Sequence, residues 1–266
     1  MPSLAQAAPR IPAVTISYNG HLARSFEALR LKDPKKLSDL AYRIASKASV
    51  TNNMKLLDLG CGTGFYTLGL AQRLDAQVTG ADVSEDMLKI AMAKPGADKI
   101  KWVKEDASKL SFENESFDVV FMSSLLHHFD NPLDILEQCM RVLRPGGLLI
   151  NQYGALEDIL CDPDHKFFPD AVEVDVRRTP ARLQLEYLFS SIGLSQVNSE
   201  KATYKLCGTA QERVDLVAEK YISVFHLINE MSFQRGLKEL RAYAAANSFD
   251  PWLRELKITT TTGMKL

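Results

Sequence analysis

The chain has 266 residues, 46% of them hydrophobic, and a net charge of −1. That supplies ample apolar surface for a sizeable core, in one large α/β domain as easily as in two small ones. The charge balance argues against a strongly basic nucleic-acid surface, and no apolar run approaches the roughly 20 residues that span a bilayer.

Residues 1–14 carry Pro2, Pro9 and Pro12 and read as a loose arm. They lack a basic start followed by an apolar core, so no signal peptide is expected. Cys61, Cys139, Cys161 and Cys207 form no CxxC pair and no disulfide-like framework, which suits a reducing compartment. A cytoplasmic protein is the expectation. From residue 17 to 48 the apolar spacing is helical, through Leu22, Phe26 and Leu29 and then Leu37, Leu40, Ala41, Ile44 and Ala45. This predicts two helices ahead of the first strand.

Strands are expected at 55–59, 77–82, 99–104, 117–123 and 148–153, with helices at 65–74, 84–93 and 132–142 between them. Ser84 reads as the N-cap of the second of these helices. Pro145-Gly146-Gly147 reads as a break before the fifth strand. Strand and helix alternate in the manner of a doubly wound, mostly parallel sheet. Ligands in such sheets sit beyond the C-terminal ends of the strands. Gly60, Asp82, Asp106 and Ser123 fall at those ends.

After Tyr153 the regularity weakens. Residues 155–180 read as an inserted loop or short helices, and 180–192 as a helix closed by Gly193. Residues 196–206 and 256–262 read as two further strands. Residues 211–246 read as the longest helical stretch, with Val214, Val217, Ala218, Tyr221, Phe225, Ile228 and Met231 on one apolar stripe and its charges on a solvated face. Phe167-Phe168 reads as core.

The chemistry centres on Leu56-Leu57-Asp58-Leu59-Gly60-Cys61-Gly62-Thr63-Gly64. An apolar strand runs into a turn with alternate glycines, where a ligand can approach bare backbone. Asp58 lies inside the strand and can orient the loop or hold an ammonium group. Asp82 closes the next strand, the place where a carboxylate meets ribose hydroxyls in doubly wound folds. Asp106 ends the third strand and can accept from the exocyclic amine of adenine.

With Gly80-Ala81-Asp82-Val83-Ser84, Met87-Leu88, Glu105-Asp106-Ala107, Phe117-Asp118-Val119-Val120, Leu126-His127-His128 and Leu143-Arg144-Pro145-Gly146-Gly147, the loop makes a set of motifs in register over residues 54–153. The set resembles the class I S-adenosylmethionine-dependent methyltransferases, and among them the ubiquinone/menaquinone-biosynthesis type. The resemblance implies a seven-stranded Rossmann-like sheet and methyl transfer from S-adenosylmethionine to an O, N or C nucleophile of a small-molecule acceptor. It implies that Gly60, Gly62 and Gly64 bed the methionine part, with Asp58 and the turn at its amino and carboxylate ends. Asp82 would bind ribose, Val83 and Met87 would pack on adenine, and Asp106 and Ala107 would read its edge. Ser123 would contact the methionine part, and Tyr18 would close over the cofactor, although the Tyr-Asp of many relatives is Tyr18-Asn19 here. His127 and His128 stand near the expected methyl position as proton acceptors. The whole chain would be one methyltransferase domain, with residues 15–50 a helical lid and residues 155–180 and 208–250 building the acceptor site.

Rival readings are a nicotinamide-dependent oxidoreductase, which the GxGxG register disfavours, and a cofactor-binding scaffold without catalysis. No clustered His/Asp set demands a metal, no nucleic-acid partner is expected, and oligomeric state is not read.

Overall fold

The computed structural model describes residues 16, 18, 20–29, 34–48, 53–162 and 164–266. The expected arm at 1–14 and Asn19 lie outside the described residues. Two helices precede the sheet, α1 (His21–Leu29) and α2 (Pro34–Lys47). The core then alternates as β1 (Met54–Leu59), α3 (Phe65–Ala71), β2 (Ala76–Asp82), α4 (Glu85–Met92), β3 (Lys101–Lys104), β4 (Phe117–Ser123), α5 (Pro132–Val142) and β5 (Leu143–Tyr153). Three short helices follow, α6 (Leu156–Leu160), α7 (Asp164–Phe167) and α8 (Pro169–Arg178), then α9 (Arg182–Ser191) and β6 (Leu194–Lys205). The chain returns through α10 (Ala210–Ala218) and α11 (Glu230–Ala246) to β7 (Glu255–Lys265).

The seven strands lie in the order β3-β2-β1-β4-β5-β7-β6. All pairs from β3 to β5 are parallel, and β7 runs antiparallel to both β5 and β6. This is the doubly wound, mostly parallel sheet expected from the alternation. One face packs Leu57, Leu59, Val120 and Leu149 against α5 and α9. The other packs Leu56, Val78, Phe121 and Ile150 against α2 and α3. β1 and β4 are therefore covered on both sides, which is why they read as continuous apolar runs rather than alternating ones. Thr259, Thr260, Thr261 and Thr262 of β7 are all buried as well, between two neighbouring strands. A third apolar cluster joins α8, α10 and α11 through Phe168, Val214, Phe225, Phe233 and Leu240.

Ser84 caps α4 by accepting from Met87 N, and Asn131 caps α5 from Leu133 N. Pro145-Gly146-Gly147 lies inside β5 rather than ahead of it. The pairing jumps from Phe117–Leu143 to Val119–Leu148, so residues 144–147 form an irregularity within the strand. The expected helix over 211–246 is two helices. Lys220 adopts a left-handed φ of 52° and a 3₁₀ turn follows at Ser223–His226. Asn229 then starts α11 by accepting from Met231 N and Ser232 N. The stripe consequently does not continue, and Met231 is 82% exposed. The solvated face expected there also fails at Arg213, which is fully buried with its guanidinium 5.6 Å from the Tyr221 ring. Among the described residues no helix is long and apolar enough to cross a membrane.

Candidate functional site

A cavity of about 550 Å³ opens above the C-terminal ends of the parallel strands. Its wall contains Gly60 and Gly62 after β1, Asp82, Val83 and Met87 after β2, Asp106 and Ala107 after β3, and Ser123, His127 and His128 after β4. Tyr18 and Phe26 cover it from the N-terminal side, and residues of α8 and the 221–225 segment close it from the other. The sheet thus brings together all the sequence-derived residues except Asp58 and Gly64.

The glycine turn is held by backbone bonds from Gly60 N and Cys61 N to Ala81 O, at 2.8 and 3.0 Å. Gly60, Gly62 and Gly64 all have positive φ, a region where an L side chain is strained. Asp82 joins two loops at once. Its Oδ2 accepts from Gly62 N (2.8 Å) and its Oδ1 from Ser84 N (2.9 Å). Burial raises its pKa, against the lowering effect of the Ser84, Gly62 and Val83 N–H groups. Val83 beside it is 64% exposed on the cavity wall while Met87 is buried. An exposed apolar surface at the foot of a cleft fits a flat apolar ligand group. Asp106 bends its own loop, with Oδ1 accepting from Ser108 N and Oγ.

Asp58 and Gly64 work behind the wall. Asp58 is buried and its Oδ2 accepts from Thr67 Oγ1 at 2.6 Å. This fixes α3 to β1, so the strand acid braces the loop, and it is not among the residues that line the cavity. A Cβ at Gly64 would lie 2.6 Å from the Trp102 ring and 3.0 Å from Ala91 Cβ, so this glycine serves close packing of the turn on β3 and α4.

The N-terminal segment is tied to the loops after β1 and β2. Ser84 Oγ donates to Tyr18 O (2.6 Å), Asp86 accepts from Gly20 N (2.7 Å), and Lys94 bridges Glu27 of α1 and Thr63 O. The Tyr18 ring makes edge contacts with Phe26 at 5.4 Å and His128 at 5.8 Å.

His127 and His128 stand with ring centroids 4.1 Å apart. Burial, the neighbouring His128 and the Arg178 charge push the His127 imidazole well below its usual value. Burial and Arg178 push His128 down to about 4. Both are neutral at pH 7. The unfolded chain holds these groups near 6.5, so the folded state binds fewer protons. The stability they contribute is complete above about pH 6.5 and is lost as pH falls toward 4. Melting temperature is expected to fall across that window, and His128→Asn is expected to shallow the fall. An unchanged slope in the variant would show that His128 does not titrate there.

Sequence reading missed the polar groups on the far wall. Arg178 donates to Asp175 (3.0 and 3.1 Å) and to Ser223 Oγ (2.9 Å), and His165 Nε2 lies 3.4 Å from Asp175 Oδ2. Burial lowers the His165 pKa, but Asp175 and Asp162 outweigh it and the net shift is upward. Asn151 of β5 is also buried on the wall. Its signal was present, since it is a polar residue directly after the apolar run Leu148-Leu149-Ile150. Among the described residues no group of three or more His, Cys, Asp or Glu side chains is arranged for a metal.

A family model described as a methyltransferase domain matches residues 57–151. The chain is 37% identical over 111 residues to a demethylmenaquinone methyltransferase of Staphylococcus aureus, covering 41% of this chain and 46% of that protein. It is 34% identical over 143 residues to a 27-O-demethylrifamycin SV methyltransferase of Amycolatopsis mediterranei, covering 52% of this chain and 49% of that protein. It therefore spans about half the length of these curated relatives. A phosphoethanolamine N-methyltransferase of Haemonchus contortus, solved in complex with S-adenosyl-L-methionine, shares the fold with a TM-score of 0.59 at 17% identity, over 93% of this chain and 57% of that one. Residues 57–151 thus match a methyltransferase domain, and the fold resembles that of the Haemonchus enzyme.

Proposed function

We propose that the chain binds S-adenosylmethionine in this cavity and transfers its methyl group to an O, N or C nucleophile of a small molecule. The observation that carries the reading is Asp82, whose carboxylate bridges the glycine turn and the α4 cap beside the exposed Val83. That donor set fits the cofactor: a carboxylate for a diol, an apolar shelf for a purine, and bare backbone for an amino-acid end. Tyr18, Gly60, Gly62, Asp82, Val83, Met87, Asp106, Ala107 and Ser123 would hold it, with Asp58 and Gly64 shaping the turn. Bound there, the cofactor supplies an electrophilic methyl group on a sulfonium.

The remaining work belongs to the chain. The described parts of the N-terminal lid (residues 15–50) and of the insertions at 155–180 and 208–250 would wall off a largely apolar space for the acceptor, excluding water and aligning the nucleophile. His127 and His128 face that space as neutral imidazoles. His128, held near pKa 4, and His127, also pushed well below its usual value, have little driving force for proton transfer, so their role is to hydrogen-bond and orient the acceptor rather than to act as strong bases. Four free cysteines fit a reducing compartment, and we place the protein in the cytoplasm.

Methyl-labelled S-adenosylmethionine incubated with the protein and fractionated metabolite extracts tests the proposal. Label is expected in one small-molecule fraction. Binding of the cofactor with no labelled product in any fraction would instead favour a non-catalytic scaffold.

A further inference from the structure

Arg178 lies in the last turn of α8 and lines the cavity, with its side chain largely buried. Its Nε and Nη2 both donate to Asp175 Oδ1, at 3.1 and 3.0 Å, and its Nη1 donates to Ser223 Oγ at 2.9 Å. A guanidinium has more N–H groups than these three bonds use. One N–H on Nη1 and one on Nη2 remain, and among the described residues neither has an acceptor. The Arg178 charge acts on both His127 and His128, so the guanidinium stands within electrostatic reach of the imidazole pair.

This cation is set in place before any ligand arrives. The helix dipole favours a positive charge in the last turn, and Asp175 and Ser223 fix the direction of the guanidinium. Its charge is nevertheless only shared out. Asp175 is buried, and its Oδ2 lies 3.4 Å from His165 Nε2. One carboxylate thus serves two cations whenever His165 is protonated, and the nearby acids pull His165 in that direction. Asp162 lies 3.6 Å from Arg213 and is drawn on by that residue. This wall therefore favours negative charge and repels an ammonium group.

The same wall is poor in bases. His127 and His128 hold protons weakly, Asp175 is engaged on both oxygens, and His165 Nδ1 is buried. A neutral alcohol or an ammonium group would have to lose a proton with no strong base beside it. An acceptor that is already an anion has no such requirement. We propose that the acceptor is an acid bound as its anion, a carboxylate or an ionised phenol or enol, with the charged oxygen on the two remaining N–H groups of Arg178. The new bond to the methyl group would form as the S–CH3 bond breaks and its electron pair returns to sulfur, and no proton has to leave first. The assignment rests on the methyltransferase reading above and narrows its acceptor.

The test titrates probes of one shape and different charge: 2-naphthoate, 2-naphthol, 2-naphthamide and 2-naphthylmethylammonium. Each is measured by calorimetry on the full chain, alone and saturated with S-adenosylhomocysteine. Naphthoate or naphthol is expected to bind at least about tenfold more tightly than the amide, as for hydrogen bonds to a charged group. The ammonium is expected to bind more weakly than the amide. The better-bound acid tells a carboxylate site from a phenolate site. Arg178→Gln removes the charge but keeps an amide donor for Asp175, and is expected to abolish the preference for acids. Asp175→Asn strips the guanidinium of its counter-ion and is expected to widen that preference, which tests the idea even if Arg178→Gln does not fold. Amide or ammonium binding as tight as that of the acids, no binding of any probe to wild type, or a preference that survives Arg178→Gln would overturn the assignment. Failure of wild type to bind S-adenosylhomocysteine, with the preference for acids intact on the chain alone, would overturn the cofactor reading rather than the Arg178 site.

Discussion

Asp82→Ala is expected to raise the dissociation constant for S-adenosylmethionine by about 10- to 100-fold, the loss of roughly 1.5–3 kcal/mol for hydrogen bonds to a charged group. Asp82 is expected to matter twice. It would accept from the ribose, and it already accepts from Gly62 N and Ser84 N, holding the glycine turn against the α4 cap. Alanine would remove the ligand contact and leave two partly buried N–H groups without their acceptor. Asp82→Asn keeps one acceptor oxygen and should fall between wild type and alanine. Calorimetric titration measures the effect, and circular dichroism checks that the sheet persists. Unchanged affinity in the alanine variant would remove Asp82 from the site.

The second large effect is structural and lies in the C-terminal half. Gly236 sits in α11 where it crosses the chain between α7 and α8. A Cβ there would collide with the Phe167 carbonyl oxygen and lie 2.6 Å from the Phe168 ring. The carbonyl is backbone and cannot swing aside as a flexible side chain would. Phe168 is itself locked against Phe225 and Phe233, at ring-centroid distances of 4.8 and 5.7 Å. Overpacking of this kind costs about 3 kcal/mol. For a chain of this size that lowers the melting temperature by roughly 6–12 °C. The damage is expected to stay in the α8–α10–α11 cluster, with S-adenosylmethionine affinity kept within about twofold because the glycine turn is remote from it. Thermal melting with parallel titration checks both parts. An unchanged melting temperature would mean that α11 can draw away from Phe167 at little cost.

The cofactor half was legible because its signals are local. Each strand ends in a residue whose chemistry shows, as in Gly60, Asp82, Asp106 and Ser123. Ser84 announces its helix from one position upstream. Asp58 shows the limit of that reading. Sequence places a carboxylate inside a strand but not the direction it takes, and its partner Thr67 comes from the next helix.

The C-terminal half was less legible because its determinants are distant in sequence. The apolar spacing from Val214 to Met231 continues numerically across a break set by Lys220 and the Ser223–His226 turn. Asn229 caps α11 within that numerically continuous spacing. Arg213 is covered by Tyr221 and approached by Asp162 at 3.6 Å, and no local pattern marks an arginine for burial.

Calorimetric titration of the purified protein with S-adenosylhomocysteine, with NADH as the comparison ligand, tests the central claim most directly. Saturable binding of S-adenosylhomocysteine and none of NADH is the predicted result. Binding of NADH with no heat from S-adenosylhomocysteine would contradict the account.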